Sequence, residues 1–232
     1  MATAWGRTLV IANPAAQSGR GAAGARAVEG ALATGETPAS SYEVRLTEGR
    51  GHATELAARA GSYDTVLVLG GDGVVHETVN GLMRLDAPAR PRMGVLPLGS
   101  GNDFARTAGV VGRNRPVRAL RELERGSERS FDLGFVTSDA VRGGVWFAET
   151  LSFGLDAAVA LGSMESRKRS GARGTRLFGA LGLDVFARNR EPCPYRATLW
   201  DACGTPIALE GEEIVFAVQL GPTFTRRSYL LC

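Results

Sequence analysis

The sequence predicts an α/β domain built on a parallel sheet, followed by a β-rich antiparallel sandwich. Three observations predict it. Short apolar, β-branched runs recur in the first half, and three of them end in loops of small residues. Helical patterns separate these runs, the alternation that builds parallel sheets through right-handed crossovers. After Gly126 the alternation stops, and strand-like runs follow one another without an intervening helix.

The elements can be justified in order. Leu9-Val10-Ile11-Ala12 lies in a strand at 8–12 and opens into Asn13-Pro14-Ala15-Ala16-Gln17-Ser18-Gly19-Arg20-Gly21. A helix is expected near 21–33, a strand at 42–46 and a helix near 52–60. Thr65-Val66-Leu67-Val68-Leu69 is a near-continuous apolar run, the mark of a strand covered on both faces. It runs into Gly70-Gly71-Asp72-Gly73 and a helix near 74–85. A strand at 93–97 then leads to Leu98-Gly99-Ser100-Gly101-Asn102-Asp103-Phe104-Ala105-Arg106, where Asn102-Asp103 can cap a short helix. A helix near 116–125 completes the first domain, whose boundary is placed near residue 127. Beyond it, strands are expected at 131–136 and 145–148, helices near 155–165 and 175–188, and antiparallel strands at 195–201, 205–209 and 213–219.

The strand-to-loop junctions carry the chemistry. Glycine lets a backbone approach a ligand closely and adopt positive φ. The first turn of a following helix offers free N–H groups and a dipole that favours an anion. Asp72, between glycines, can take a proton from a hydroxyl or help hold a metal ion; a turn aspartate would look the same. Several such loops along the carboxyl edge of a parallel sheet point to a phosphate-bearing ligand lying there. Glu77 and Asn80 share one helix face and either order the loop or face solvent. Gly19-Arg20-Gly21-Ala22-Ala23-Gly24 fits G-x-G-x-x-G, but the strand ends near Ala12 and Asn13-Pro14 intervenes, so it is not read as a dinucleotide turn.

Composition narrows the class without identifying it. With 232 residues, 44% hydrophobic and 22% charged, the chain can bury a sizeable core. A net charge of +3 does not argue for a nucleic-acid partner. No apolar run reaches the roughly 18 residues that span a membrane, and no basic-then-apolar leader is recognised. Cys193, Cys203 and Cys232 lack metal-ligand spacing, which with the odd count suits a reducing cytoplasm. His52 and His76, the only histidines, also lack ligand spacing.

NPAAQSGRG, GGDGVVHETVNGL and PLGSGNDFAR, in that order, resemble the three signature segments of the diacylglycerol kinase catalytic-domain family, which includes bacterial lipid kinases and sphingosine kinases. Leu46-Thr47-Glu48-Gly49-Arg50-Gly51-His52-Ala53 resembles a fourth, smaller segment. GGDG alone is shared with phosphofructokinases and NAD kinases; its extension and the third segment favour lipid kinases. The resemblance implies an ATP-dependent kinase that passes the γ-phosphoryl group to a hydroxyl of diacylglycerol or a related lipid, with Mg²⁺ bridging the nucleotide phosphates. It implies Asp72 as general base and Asn13, Arg20, Thr47, Gly70, Gly71, Gly73, Ser100, Gly101 and Asn102 as nucleotide-binding residues. Arg20 stands where many relatives carry lysine, and arginine can grip phosphate bidentately. Asp156 resembles a carboxylate near the acceptor lipid, and a helix-starting aspartate would look alike. Arg167-Lys168-Arg169, with Arg173 and Arg176, resembles a segment that reaches the triphosphate; a solvated face or an anionic membrane contact is the other reading. A cytoplasmic protein with peripheral contact at the inner membrane face is expected.

The match departs from the family near its end. After Gln219-Leu220-Gly221-Pro222 the glycine-rich turn, the Asp-Gly segment and the closing strands of the family have no counterpart, so residues 128–232 read as a partial lipid-acceptor domain with doubtful activity. An NAD kinase-like enzyme with a soluble acceptor and a catalytically inert nucleotide- or lipid-binding protein are the alternatives.

Overall fold

The computed structural model describes residues 4–110, 112, 114–139, 141–155, 157–159, 161–162, 191–200, 203–220, 223–224 and 227–228. They belong to two compact units, residues 1–149 with 219–232, and residues 150–218.

The first unit holds a four-stranded parallel sheet. Its strands are β1 (Gly6–Ala12), β2 (Ala39–Leu46), β3 (Thr65–Gly70) and β4 (Arg92–Pro97), in the order β2-β1-β3-β4. The chain passes from β1 to β2 on one side and returns to β3 on the other, so the topological switch lies between β1 and β3. Ligands of open α/β sheets bind outside the carboxyl ends of the strands at such a point. Val10, Ile11, Val66, Val68, Leu69 and Leu96 are fully buried, as expected of strands covered on both faces.

Five helices connect and cover the strands: α1 (Ala16–Ala33), α2 (His52–Ala58), α3 (Asp72–Leu82), α4 (Asp103–Thr107) and α5 (Pro116–Glu124). α1, with Val28 and Leu32 buried, packs with α5, with Ala119 and Leu120 buried, and α2 packs with α3. α1 begins earlier than the periodicity predicts, but Gln17, Ser18 and Gly19 have φ of 48°, 63° and 93°, so its first turn is a left-handed loop before the regular helix.

An antiparallel hairpin follows, β5 (Gly134–Ser138) with β6 (Val141–Phe147). The strand expected at 131–136 starts three residues later. Asn80 on α3 clamps β6: its Nδ2 donates to Trp146 O at 2.9 Å and its Oδ1 accepts from Trp146 N at 2.9 Å. This pairing imitates a strand bridge and resolves the open reading of Asn80 toward a structural contact.

The second unit contains β7 (Thr150–Gly154) beside β10 (Val215–Gln219), and β8 (Cys193–Trp200) antiparallel to β9 (Pro206–Glu213). The β-rich character expected after the first domain is met as small two-stranded sheets among the described residues. Thr223–Phe224 and Arg227–Ser228 pair as short strands β11 and β12.

Candidate functional site

The carboxyl ends of the strands hold their loops by a continued ladder. Ala12 O accepts from Thr47 N at 2.8 Å, Leu69 O from Asn13 N at 2.9 Å, and Gly70 O from Leu98 N at 2.7 Å. Each loop therefore starts where its neighbour's strand ends, and the four sequence segments meet at one edge.

The first loop is shaped by its own backbone. Asn13 Oδ1 accepts from Ala15 N at 2.9 Å, closing an Asx turn. Gln17, in its left-handed conformation, sends Nε2 to Gly99 O at 2.7 Å and so ties the first loop to the third. Arg20 is exposed and makes no hydrogen bond or ion pair with the described residues. Thr47 sits at the end of β2, half-buried.

The second and third loops touch through glycine. A β-carbon on Gly71 would lie 2.9 Å from Gly99 Cα, and one on Gly99 would lie 2.4 Å from Gly71 Cα. Gly73, by contrast, faces open space. Ser100 is exposed on the third loop.

Asp72 has a task that spacing alone does not reveal. Its Oδ2 accepts from Asn102 N at 2.7 Å, and its Oδ1 accepts from Asp103 N at 2.8 Å and Phe104 N at 3.4 Å. The carboxylate thus caps α4 from a different segment of the chain. Asn102, expected to contribute to that cap, makes no capping hydrogen bond from its side chain. It adopts φ of 60° and folds back instead: Oδ1 accepts from Gly99 N at 2.8 Å and Nδ2 donates to Gly99 O at 3.0 Å. Only 3% exposed, it is a strut of the third loop. Gly101 preserves access to Asp72, because a β-carbon there would sit 2.6 Å from Oδ2.

Two neighbours escaped the sequence reading. Arg106 donates from Nη1 to Gly101 O at 2.8 Å and pairs with Asp103. Glu149, just past β6, has both carboxylate oxygens shielded from solvent. Burial holds its carboxyl above the usual range; the Asp72 charge adds to this, while the nearby Thr107 hydroxyl and the Arg106 charge oppose it. No local pattern announces Glu149, because its neighbours come from α3 and α4. Asp156 and the basic run at 167–169, with Arg173 and Arg176, lie outside the described residues.

The site is thus a cradle of small residues and free backbone around one buried-edge carboxylate, at the switch point of a parallel sheet. Such a surface fits a phosphate chain approached by backbone N–H groups. Among the described residues, no group of three metal-ligating side chains is assembled.

Comparison with known proteins gives a consistent answer. The family model for the diacylglycerol kinase catalytic domain matches residues 7–136. The diacylglycerol kinase of Mycobacterium tuberculosis is 32% identical over 230 residues, 97% of this chain and 66% of that protein. The diacylglycerol kinase of Bacillus subtilis is 39% identical over 101 residues, 42% of this chain and 32% of that protein. A crystal structure of a diacylglycerol kinase from Bacillus anthracis shares the fold, with a TM-score of 0.65 and 21% identity over 95% of this chain and 67% of that one. These matches span about a third to two thirds of the relatives' own lengths.

Proposed function

The chain belongs to the diacylglycerol kinase catalytic-domain family, and from that premise we propose that it transfers the γ-phosphoryl group of ATP to the hydroxyl of diacylglycerol or a related lipid. One observation carries the reading: three glycine-rich loops converge on Asp72 at the switch point of the sheet. Phosphoryl transfer needs mainly positioning and charge stabilisation, which such a cradle supplies.

Within this proposal, Gly70, Gly71 and Gly73 offer backbone to the phosphates, and Gly73 has open space in which to do so. Asn13, Thr47, Ser100, Gly101 and Asn102 shape and line the nucleotide's seat. Arg20, with its guanidinium uncommitted to the described residues, reaches the phosphate tail. Asp72 accepts the proton of the lipid hydroxyl on the side of Oδ2 that Gly101 leaves clear. Its backbone hydrogen bonds hold the carboxylate still while the hydroxyl oxygen attacks. Mg²⁺ enters as the companion of the nucleotide's phosphates, which commonly supply most of its ligands together with water.

The division near 127, into a nucleotide-binding part and an acceptor part that includes Asp156, belongs to the same proposal. So does contact with the cytoplasmic face of a membrane, where the acceptor lipid resides.

The test is transfer of labelled phosphate from ATP to diacylglycerol in mixed micelles, with NAD as a parallel acceptor. Label in the lipid supports the reading. Label in NAD alone would assign the chain to the soluble-acceptor kinases, and nucleotide binding with no transfer to either would make it a binding protein.

A further inference from the structure

An apolar slot of about 350 Å³ runs beside β4 in the first unit, meeting the third loop segment only at Phe104. That volume lies at the lower end of the range for small-molecule sites, roughly 300–1,000 Å³. β4 is an edge strand, and its successive residues Arg92, Met93, Gly94 and Val95 all line the slot. Successive strand residues point to opposite faces, so the slot follows the edge of the sheet rather than one face. Arg90 to Val95 line it without a gap, a stretch of about 16 Å when extended.

Its two ends differ in chemistry. At the start of β4 stand Arg90 and Arg129, both exposed. Arg92 lies there too, but it is committed to Glu128 and to Ala4 O, the latter at 2.9 Å. Arg90 uses only Nε, on Leu85 O at 3.0 Å, and Arg129 makes no hydrogen bond or ion pair with the described residues. At the other end the walls are Phe104, Ala108 and Val110, and along the middle Leu67 and Leu123. An apolar channel with two guanidiniums at one mouth, whose terminal Nη groups are not taken up by the described residues, matches a molecule with one hydrocarbon tail and one compact anionic head.

We infer that this slot binds a single-chain carboxylate of the fatty-acid type, its head at Arg90 and Arg129 and its chain laid along β4 to Ala108. The planar guanidinium fork suits a carboxylate. A volume of about 350 Å³ accommodates one hydrocarbon chain but not the two of a diacyl lipid, so this is a second lipid-binding place, independent of the acceptor reading. It is also wired to the proposed active site. Phe104 lies in the first turn of α4 and Ala108 just follows the helix, whose first N–H groups are held by Asp72, so a chain seated against them bears on that carboxylate.

The experiment is calorimetric titration of the full chain with dodecanoate below its micellar concentration, beside dodecanol and acetate. The expected result is one dodecanoate per chain, bound about tenfold or more tighter than dodecanol, with no binding of acetate, since charge-assisted contacts outweigh neutral ones. The double variant Arg90→Gln/Arg129→Gln, altered only at exposed positions, should bring dodecanoate down to the level of dodecanol. Ala108→Trp should block both ligands. Equal affinity for dodecanoate and dodecanol, no effect of the double variant, or no saturable binding would overturn the inference. So would self-association of the chain that dodecanoate does not displace, which would assign the slot to a second copy.

Discussion

Gly71 and Gly99 pack backbone to backbone, each so close that a β-carbon on either would fall within 3 Å of the other's Cα. The contact joins the loop after β3 to the loop after β4, and the Gln17 hydrogen bond to Gly99 O joins the loop after β1 to both. Three loops far apart in sequence are therefore tied to one another.

Gly99→Ala is expected to pry these loops apart. Overpacking of a tight contact typically costs about 1–3 kcal/mol. The variant should melt earlier and bind ATP more weakly, while the backbone fold seen by far-UV circular dichroism persists. Gly73→Ala, where nothing lies within 4 Å, serves as the control and should leave the melt nearly unchanged.

Asp72→Asn should lose both chemistry and a cap. A general base contributes roughly 10²–10⁴ in rate, and loss of a helix N-cap costs about 0.5–2 kcal/mol. Lipid phosphorylation should fall by that factor with ATP affinity kept within a few-fold, and the melting temperature should drop. Near-normal turnover with only the melt displaced would leave Asp72 as a cap and nothing more.

Arg20→Ala should spare the fold, since the side chain is exposed and makes no hydrogen bond or ion pair with the described residues. It should weaken ATP by roughly 1.5–3 kcal/mol and AMP by much less, if the guanidinium meets the phosphate tail. Titration of both nucleotides checks the difference; equal losses would move Arg20 away from that tail.

Asn80→Ala removes both hydrogen bonds to Trp146. Leaving such groups unpaired costs about 1–3 kcal/mol each where water cannot replace the partner. Amide exchange at Trp146 should accelerate and chemical denaturation should shift to lower denaturant. Unchanged protection at Trp146 would mean that the hairpin is held by something other than this clamp.

Glu149 makes a pH-dependent contribution of definite sign. Its carboxyl titrates above the ordinary 4.5 because it is buried, so the folded chain keeps this proton to higher pH than the unfolded chain does. The associated stability is fully present below pH 4.5 and is lost as pH rises through the folded value. Glu149→Gln cannot ionise and escapes that loss. Thermal melts of the two proteins should show the variant gaining on the parent as pH rises above 4.5. A constant difference across that range would contradict the assignment.

The strands and the loops that follow them were legible in the chain itself. β3 is a run of apolar and β-branched residues, and Leu67, Val68 and Leu69 are buried because such a run has no polar face to offer water. The glycine at 71 likewise announced a close backbone approach, which it makes to Gly99, whereas Gly73 faces open space. These are local properties: periodicity, side-chain polarity and backbone freedom are written residue by residue.

What the tertiary structure alone decided is who meets whom. Nothing near Asp72 in sequence says that its carboxylate caps a helix starting at Asp103, or that Asn102 turns back to Gly99 and leaves that cap to Asp72. Sequence spacing placed Asn80 on a helix face but could not tell solvent from the backbone of Trp146, 66 residues away. Glu149 was invisible for the same reason, since its burial is conferred by segments remote in the chain. Hydrogen bonds and burial between distant residues depend on sheet order and crossover, and only the assembled fold specifies those.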